Sequence, residues 1–230
     1  MIHTNNSNST KDQLNKPPVK LLVLLIGLPL LVFIILAIFV QLQRTIFIDA
    51  PLANAIQSLT SDFVTALMRL LTHAGDKIMV GVITVAIAGG LFFRHRQKDA
   101  SMVLVTIGGS VALNIIFKLL FARPRPNPAL ALIVEDGFSF PSGHAMAAAV
   151  LAAIVILLVR HSRWRAPVYY AMTSYMIIVG ISRIYLGVYY PSDILAGFCV
   201  SVAWAVAVYA IFEYTSLYTK FTSKIPFLAK

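Results

Sequence analysis

The chain has 230 residues, 59% of them hydrophobic and only 12% charged, and its mean hydropathy is +0.82. A soluble domain carries about 25% charged residues, so this composition excludes a water-soluble enzyme or binding module and points to a membrane protein. The formal charge of +10 fits basic loops facing anionic lipid and gives no call for nucleic acid.

In chain order, the polar opening MIHTNNSNSTKDQLNK lacks the layout of a cleaved signal peptide and reads, over residues 1–19, as a disordered cytoplasmic tail. Its sequons at Asn5 and Asn8 are expected to stay unmodified on that side. Uncharged apolar runs follow at 21–42, 78–93, 100–117, 145–159, 166–181 and 194–212. A helix needs roughly 20 residues to cross about 30 Å of hydrocarbon, so the shorter runs must borrow flanking residues. The expectation is all-α: a bundle of six transmembrane helices in one domain, 20–214, closed by a cytoplasmic tail at 215–230. Small residues, Gly108 and Ala112 in the third span and Gly197 and Ser201 in the sixth, should let helices approach closely. Lone Cys199 lies inside the last span, so no disulfide framework is expected.

Between the first two spans, Asp49 and Pro51 resemble a helix start, and Leu52, Ile56, Leu59, Phe63, Leu67 and Leu70 recur at three- and four-residue spacing. That pattern predicts an amphipathic helix, broken near 60–62 and lying flat at the interface. Lysines and arginines gather before span one, at 94–98, at 160–165 and at the C-terminus. These segments, and with them both termini, are assigned to the cytoplasm, and the segments 44–76, 118–144 and 182–193 to the outer face.

The outer segments hold the chemistry. KLLFARPRPNP carries Lys118, Arg123 and Arg125; FSFPSGHAM carries Ser142, Gly143 and His144 at a span start; SRIYLGVYYPSD carries Ser182, Arg183 and Asp193. Singly, each has a bland reading: interfacial anchors for Lys118 and Arg125, a satisfied polar residue for His144, a structural ion pair for Arg183 and Asp193. Their gathering on one membrane face favours a site, because an ionisable cluster at a membrane edge is costly without a function. A lysine and two arginines suit a tetrahedral dianion, whose oxygens the guanidinium forks bind bidentately. Ser142 and Gly143 can add a hydroxyl and backbone N–H groups at the positive end of a helix. Phosphoryl transfer chiefly requires positioning and charge neutralisation, and His144 can protonate a leaving oxygen. No His/carboxylate set has convincing metal-ligand spacing, so neither a metal nor another cofactor is expected.

Lys118 and Arg125-Pro126 with six residues between them, then Pro141-Ser142-Gly143-His144, then Ser182-Arg183 and Asp193, together resemble the three-part signature of the type 2 phosphatidic acid phosphatase family, lipid phosphate phosphatases related to vanadium haloperoxidases. The resemblance covers about residues 78–212. It implies six helices around a metal-independent site at the outer face, with Lys118, Arg125 and Arg183 on the phosphate, Ser142 and Gly143 assisting and His144 as the acid. It also implies a histidine that attacks phosphorus, oriented by Asp193, but Tyr189 stands at that position. A phenol with a pKa near 10 is only about one part in a thousand ionised at neutral pH. Of the remaining histidines, only His73 falls on the outer side, and none is a clear substitute.

Three readings follow, in this order. The first is a phosphatase of a bacterial inner membrane, acting on undecaprenyl pyrophosphate, phosphatidylglycerophosphate or phosphatidate, either through Tyr189 or as the descendant of an enzyme changed at that position. The second is a catalytically impaired homologue that binds phosphorylated lipid. The third, a transporter, is disfavoured by the lack of inverted repeats. The expected partners are membrane lipid and the phosphorylated substrate; nothing speaks to oligomeric state.

Overall fold

A computed structural model describes residues 18–127 and 130–214, and these form eight α-helices and no strand. They are α1 (Val19–Gln41), α2 (Ile46–Gln57), α3 (Asp62–His73), α4 (Lys77–Phe93), α5 (Gln97–Phe121), α6 (Gly143–Val159), α7 (Arg165–Tyr185) and α8 (Pro191–Tyr214). The expected tails lie outside the described residues, except that α1 already begins at Val19.

Three of the six expected spans, α1, α5 and α8, are long and apolar enough to cross a membrane, and α3 with α4, bent by 40° at their junction, makes a fourth if taken as one. At a rise of about 1.5 Å per residue, the 17 residues of α6 reach only ~26 Å, short of the ~30 Å hydrocarbon layer. The six-span count is therefore not established by length and composition. What α6 lacks in length it has in burial: Ala145, Ala148, Ala149 and Val150 have no exposed surface, because α5, α7 and α8 surround it. By contrast α1 turns Val23, Leu24, Leu28 and Leu31 outward, a surface matched to lipid rather than water.

Between α1 and α4 the expected break appears at 58–61, where Ser61 caps α3 by accepting from the Val64 N–H at 3.3 Å. The helix start is corrected: α2 begins at Ile46, with Asp49 in its first turn and Pro51 inside it. Asp49 is not a cap, because its carboxylate is drawn into a buried ion cluster described below.

Close packing also falls differently from expectation. Gly108 has open space beside it and Ala112 is exposed. The contact is made one residue on, where a Cβ on Gly109 would lie 2.1 Å from the Trp204 ring. The Trp204 indole then reaches across α5 and donates to the Thr106 carbonyl at 2.9 Å. Gly197 does serve as expected: a Cβ there would lie 3.1 Å from both Ala145 Cβ and the Ser142 carbonyl oxygen.

Four helix ends meet at one end of the bundle. Chain leaves α5 through a left-handed Ala122 and two prolines, Pro124 and Pro126. It enters α6 at Ser142, leaves α7 at Leu186 and turns at Gly187, with φ +77, into Pro191 at the head of α8. A side chain on Gly187 would be strained by that φ and would lie 3.1 Å from Ala131 Cα, so the turn requires glycine.

Candidate active site

The three signature cations, Lys118 at the end of α5 with Arg125 just beyond it and Arg183 at the end of α7, converge on one ring. Lys118 Nζ lies 5.7 Å, the Arg125 guanidinium 4.5 Å and the Arg183 guanidinium 5.3 Å from the centre of Tyr189. Lys118 donates to the Phe138 carbonyl. Arg125 is held by carbonyls of the 136–138 loop and by Val188 O, and donates to the Tyr189 hydroxyl at 3.3 Å. Arg183, 1% exposed, donates to Thr72 Oγ1 at 2.9 Å.

An acid occupies the middle of this cage. Glu135 forms an ion pair with Arg183, lies 3.8 Å from Arg125 and accepts from the Tyr189 hydroxyl at 3.5 Å. Burial opposes ionisation of Glu135, but the Arg183 guanidinium, supported by His144 and Arg125, outweighs it and holds the carboxyl below its ordinary value. Tyr189 is pushed the other way: burial, reinforced by the Glu135 charge, raises its phenol pKa.

His144 stands at the start of α6, 8% exposed, with Nδ1 buried and without a hydrogen-bond partner among the described residues. With Arg183 and Glu135 it lines a cavity of about 540 Å³ whose other walls are Arg69, Thr72, His73, Asp76, Lys77 and Ile133. Lys118, Arg125 and Tyr189 do not line this cavity, and Glu135 joins the two groups.

Ser142 and Asp193 are both tied into the fold. Ser142 is fully buried; its hydroxyl accepts from the Ala145 N–H at 3.3 Å and its own N–H donates to the Asp193 carbonyl at 3.1 Å. The serine is a helix cap, and because its hydroxyl accepts there, it keeps its own O–H as a donor. Asp193 neither pairs with Arg183 nor orients Tyr189. Its carboxylate accepts from Arg123 at 2.5 Å and from the Tyr190 N–H at 2.9 Å.

Arg123 also binds Asp49 at 2.7 Å and Thr45 at 2.8 Å, and Ser192 gives both its N–H and its hydroxyl to Asp49. This knot ties α2 to the start of α8. Sequence reasoning named Arg123 but not this partnership, and it missed Glu135, Thr72 and Lys77. The cue for Glu135 was a pair of acids, Glu135 and Asp136, closing the apolar stretch ALIVED, too weak to distinguish from solvated loop charges.

Comparison with known proteins gives a consistent result. The chain is 34% identical over 173 residues, 73% of this chain and 85% of the relative, to phosphatidylglycerophosphatase B of Bacillus subtilis. It is 26% identical to an undecaprenyl-diphosphatase of Sulfolobus acidocaldarius, over 73% of this chain and 82% of that one. A crystal structure of a transmembrane PAP2-type phosphatidylglycerolphosphate phosphatase from Bacillus subtilis superimposes with a TM-score of 0.75 at 29% identity, covering 88% of this chain and 98% of the other. Aquifex aeolicus LpxE shares the fold at a TM-score of 0.60 and 20% identity, over 70% and 94% of the two chains. Relatives of this kind, together with the apolar helices, mark a multi-pass membrane protein and a phosphatase of lipid phosphates. The PAP2 superfamily model matches residues 99–216, the stretch that holds all three signature segments, and the chain belongs to that superfamily.

Proposed function

We propose that the protein hydrolyses a lipid phosphate or pyrophosphate at the outer membrane face, without a metal, with Lys118, Arg125 and Arg183 holding the phosphoryl oxygens and His144 protonating the leaving oxygen. The observation that carries this reading is Glu135. A carboxylate held against Arg183, beside Arg125 and at the Tyr189 hydroxyl, is an oxyanion in the cage where phosphate oxygens would sit. Phosphate has to displace it. The three lipids that suit the site are phosphatidylglycerophosphate, undecaprenyl pyrophosphate and phosphatidate; the names of the Bacillus and Sulfolobus relatives favour the first two. Ser142 and Gly143 contribute the start of α6 as a positive helix end. Tyr189 holds the attacking position, and its hydroxyl proton is directed at Glu135.

Three observations favour the second reading, a homologue that binds phosphorylated lipid with little turnover. Tyr189 is 1% exposed, its phenol is shifted away from ionisation, and Asp193 is engaged elsewhere. Phosphate release by purified protein from the three lipids, beside orthophosphate binding, separates the readings. Turnover that falls in Tyr189→Phe supports the enzyme; binding without turnover supports the second reading. In either case Glu135→Gln should tighten orthophosphate several-fold and Lys118→Ala should weaken it by about tenfold. Orthophosphate binding indifferent to both changes would remove the cage from the account.

A further inference from the structure

The signature accounts for one wall of the His144 cavity; the other is basic as well. Lys77, the first residue of α4, is exposed and has no ion-pair partner among the described residues. Its Cε would lie only 3.2 Å from a Cβ on Gly143, so the lysine stem rests on the PSGH backbone beside His144. Its charge acts on both Lys118 and His144. Arg69, one turn before the end of α3, gives one N–H to the Leu132 carbonyl at 2.8 Å and keeps its remaining donors for the cavity. Asp76 is the acid on that wall, and its carboxylate is engaged by the Ile78 N–H at 2.9 Å.

We infer that Lys77 and Arg69 form a second anion subsite in the cavity that Arg183 also lines, so that the site takes a headgroup with two phosphoryl groups, one in the signature cage and the other on Lys77. This rests on the phosphate cage proposed above. Charge balance supports it. Once phosphate displaces Glu135, Lys118, Arg125 and Arg183 serve that one group, and the charges of Lys77 and Arg69 are left for a second. The volume, about 540 Å³, is in the usual range for a small-molecule site and leaves room for a second phosphoryl group. Lysine suits the role, since a mobile ammonium on a long stem binds phosphate as a point charge and adapts to where the second group falls.

The test uses the full chain in detergent with two probes, inorganic pyrophosphate and inorganic orthophosphate. Pyrophosphate should bind more tightly than orthophosphate. Lys77→Ala should weaken pyrophosphate by about 10-fold or more and orthophosphate by no more than about 2-fold, and Lys77→Arg should retain most of the difference. Lys118→Ala should weaken both probes. Equal losses for the two probes in Lys77→Ala, or no loss, would overturn the subsite while leaving the cage intact. Orthophosphate binding that ignores Lys118→Ala would overturn the cage and the subsite with it. Unchanged thermal midpoints in the variants keep a folding defect from imitating either result.

Discussion

In the proposed reaction, turnover rests on Tyr189. Its phenol sits among three cations that would favour the phenolate, yet burial and the Glu135 charge outweigh them and its pKa is raised. If this oxygen attacks phosphorus, the rate should climb by about tenfold per pH unit from neutral into the alkaline range, because the reactive form stays a minor species until the pH passes the raised pKa. Replacement by histidine supplies a nucleophile that is unprotonated near neutral pH, so Tyr189→His should raise turnover by orders of magnitude and replace the slope with a plateau. His144→Ala in that background should remove the gain, whereas a mere improvement in folding would survive it. A well-folded Tyr189→His protein with no gain would mean that the site has diverged beyond this position. Glu135 carries the opposite sign. Its depressed carboxyl pKa contributes stability that is present above the ordinary glutamate range and is lost as the pH falls through the folded value.

Among the elements, α2 is tied to the site end of the bundle by charge as well as by Ala53 and Ile56 packed on the core. Arg123 bridges Asp49 of α2 and Asp193 of α8, with the arginine side chain 10% and both acids 0% exposed. Removing one partner of such a buried set leaves the other uncompensated, which typically costs about 3–5 kcal/mol. Asp49→Ala should therefore lower the thermal midpoint in detergent markedly and loosen α2, raising its amide exchange above that of α6. Loss of phosphate binding with no change in stability would instead place Asp49 at the substrate. The knot also explains why Asp193 is fully buried in this chain: it completes a structural ion cluster, with the Tyr190 N–H fixing its second oxygen.

For the whole molecule, four helix ends assemble the cage at one end of the bundle, and the basic loops at 94–96 and 160–164 connect helices at the other. From the distribution of lysine and arginine we propose that the second end faces the cytoplasm. Single cysteines at Asn127 and Gln97, in a background lacking Cys199, should divide accordingly. An impermeant thiol reagent outside intact cells should label the first and not the second; labelling of Gln97 would reverse the orientation and move the site to the cytoplasmic face.

Much of this organisation is legible in the chain itself, because the bilayer acts on composition. Apolar runs become helices wherever backbone polar groups must be satisfied internally, and the runs at 21–42, 78–93, 100–117, 145–159, 166–181 and 194–212 each lie within or along a helix of the structure. The signature segments could be recognised because local spacing puts Lys118, Arg125, Ser142, His144, Arg183 and Asp193 at helix ends. What each side chain touches was decided only when those ends met. Glu135 filled the cage because a loop between α5 and α6 folds back onto Arg183, more than forty residues away in sequence. Arg123 took Asp193, and Asp49 joined them from α2, because buried charges settle with whichever opposite charge the packing brings within hydrogen-bond reach. Gly109, and not Gly108, became the point of close approach because helical rotation set only one of two adjacent glycines under Trp204. Periodicity and motif spacing are local quantities, whereas ion pairing and burial depend on contacts between segments far apart in the chain.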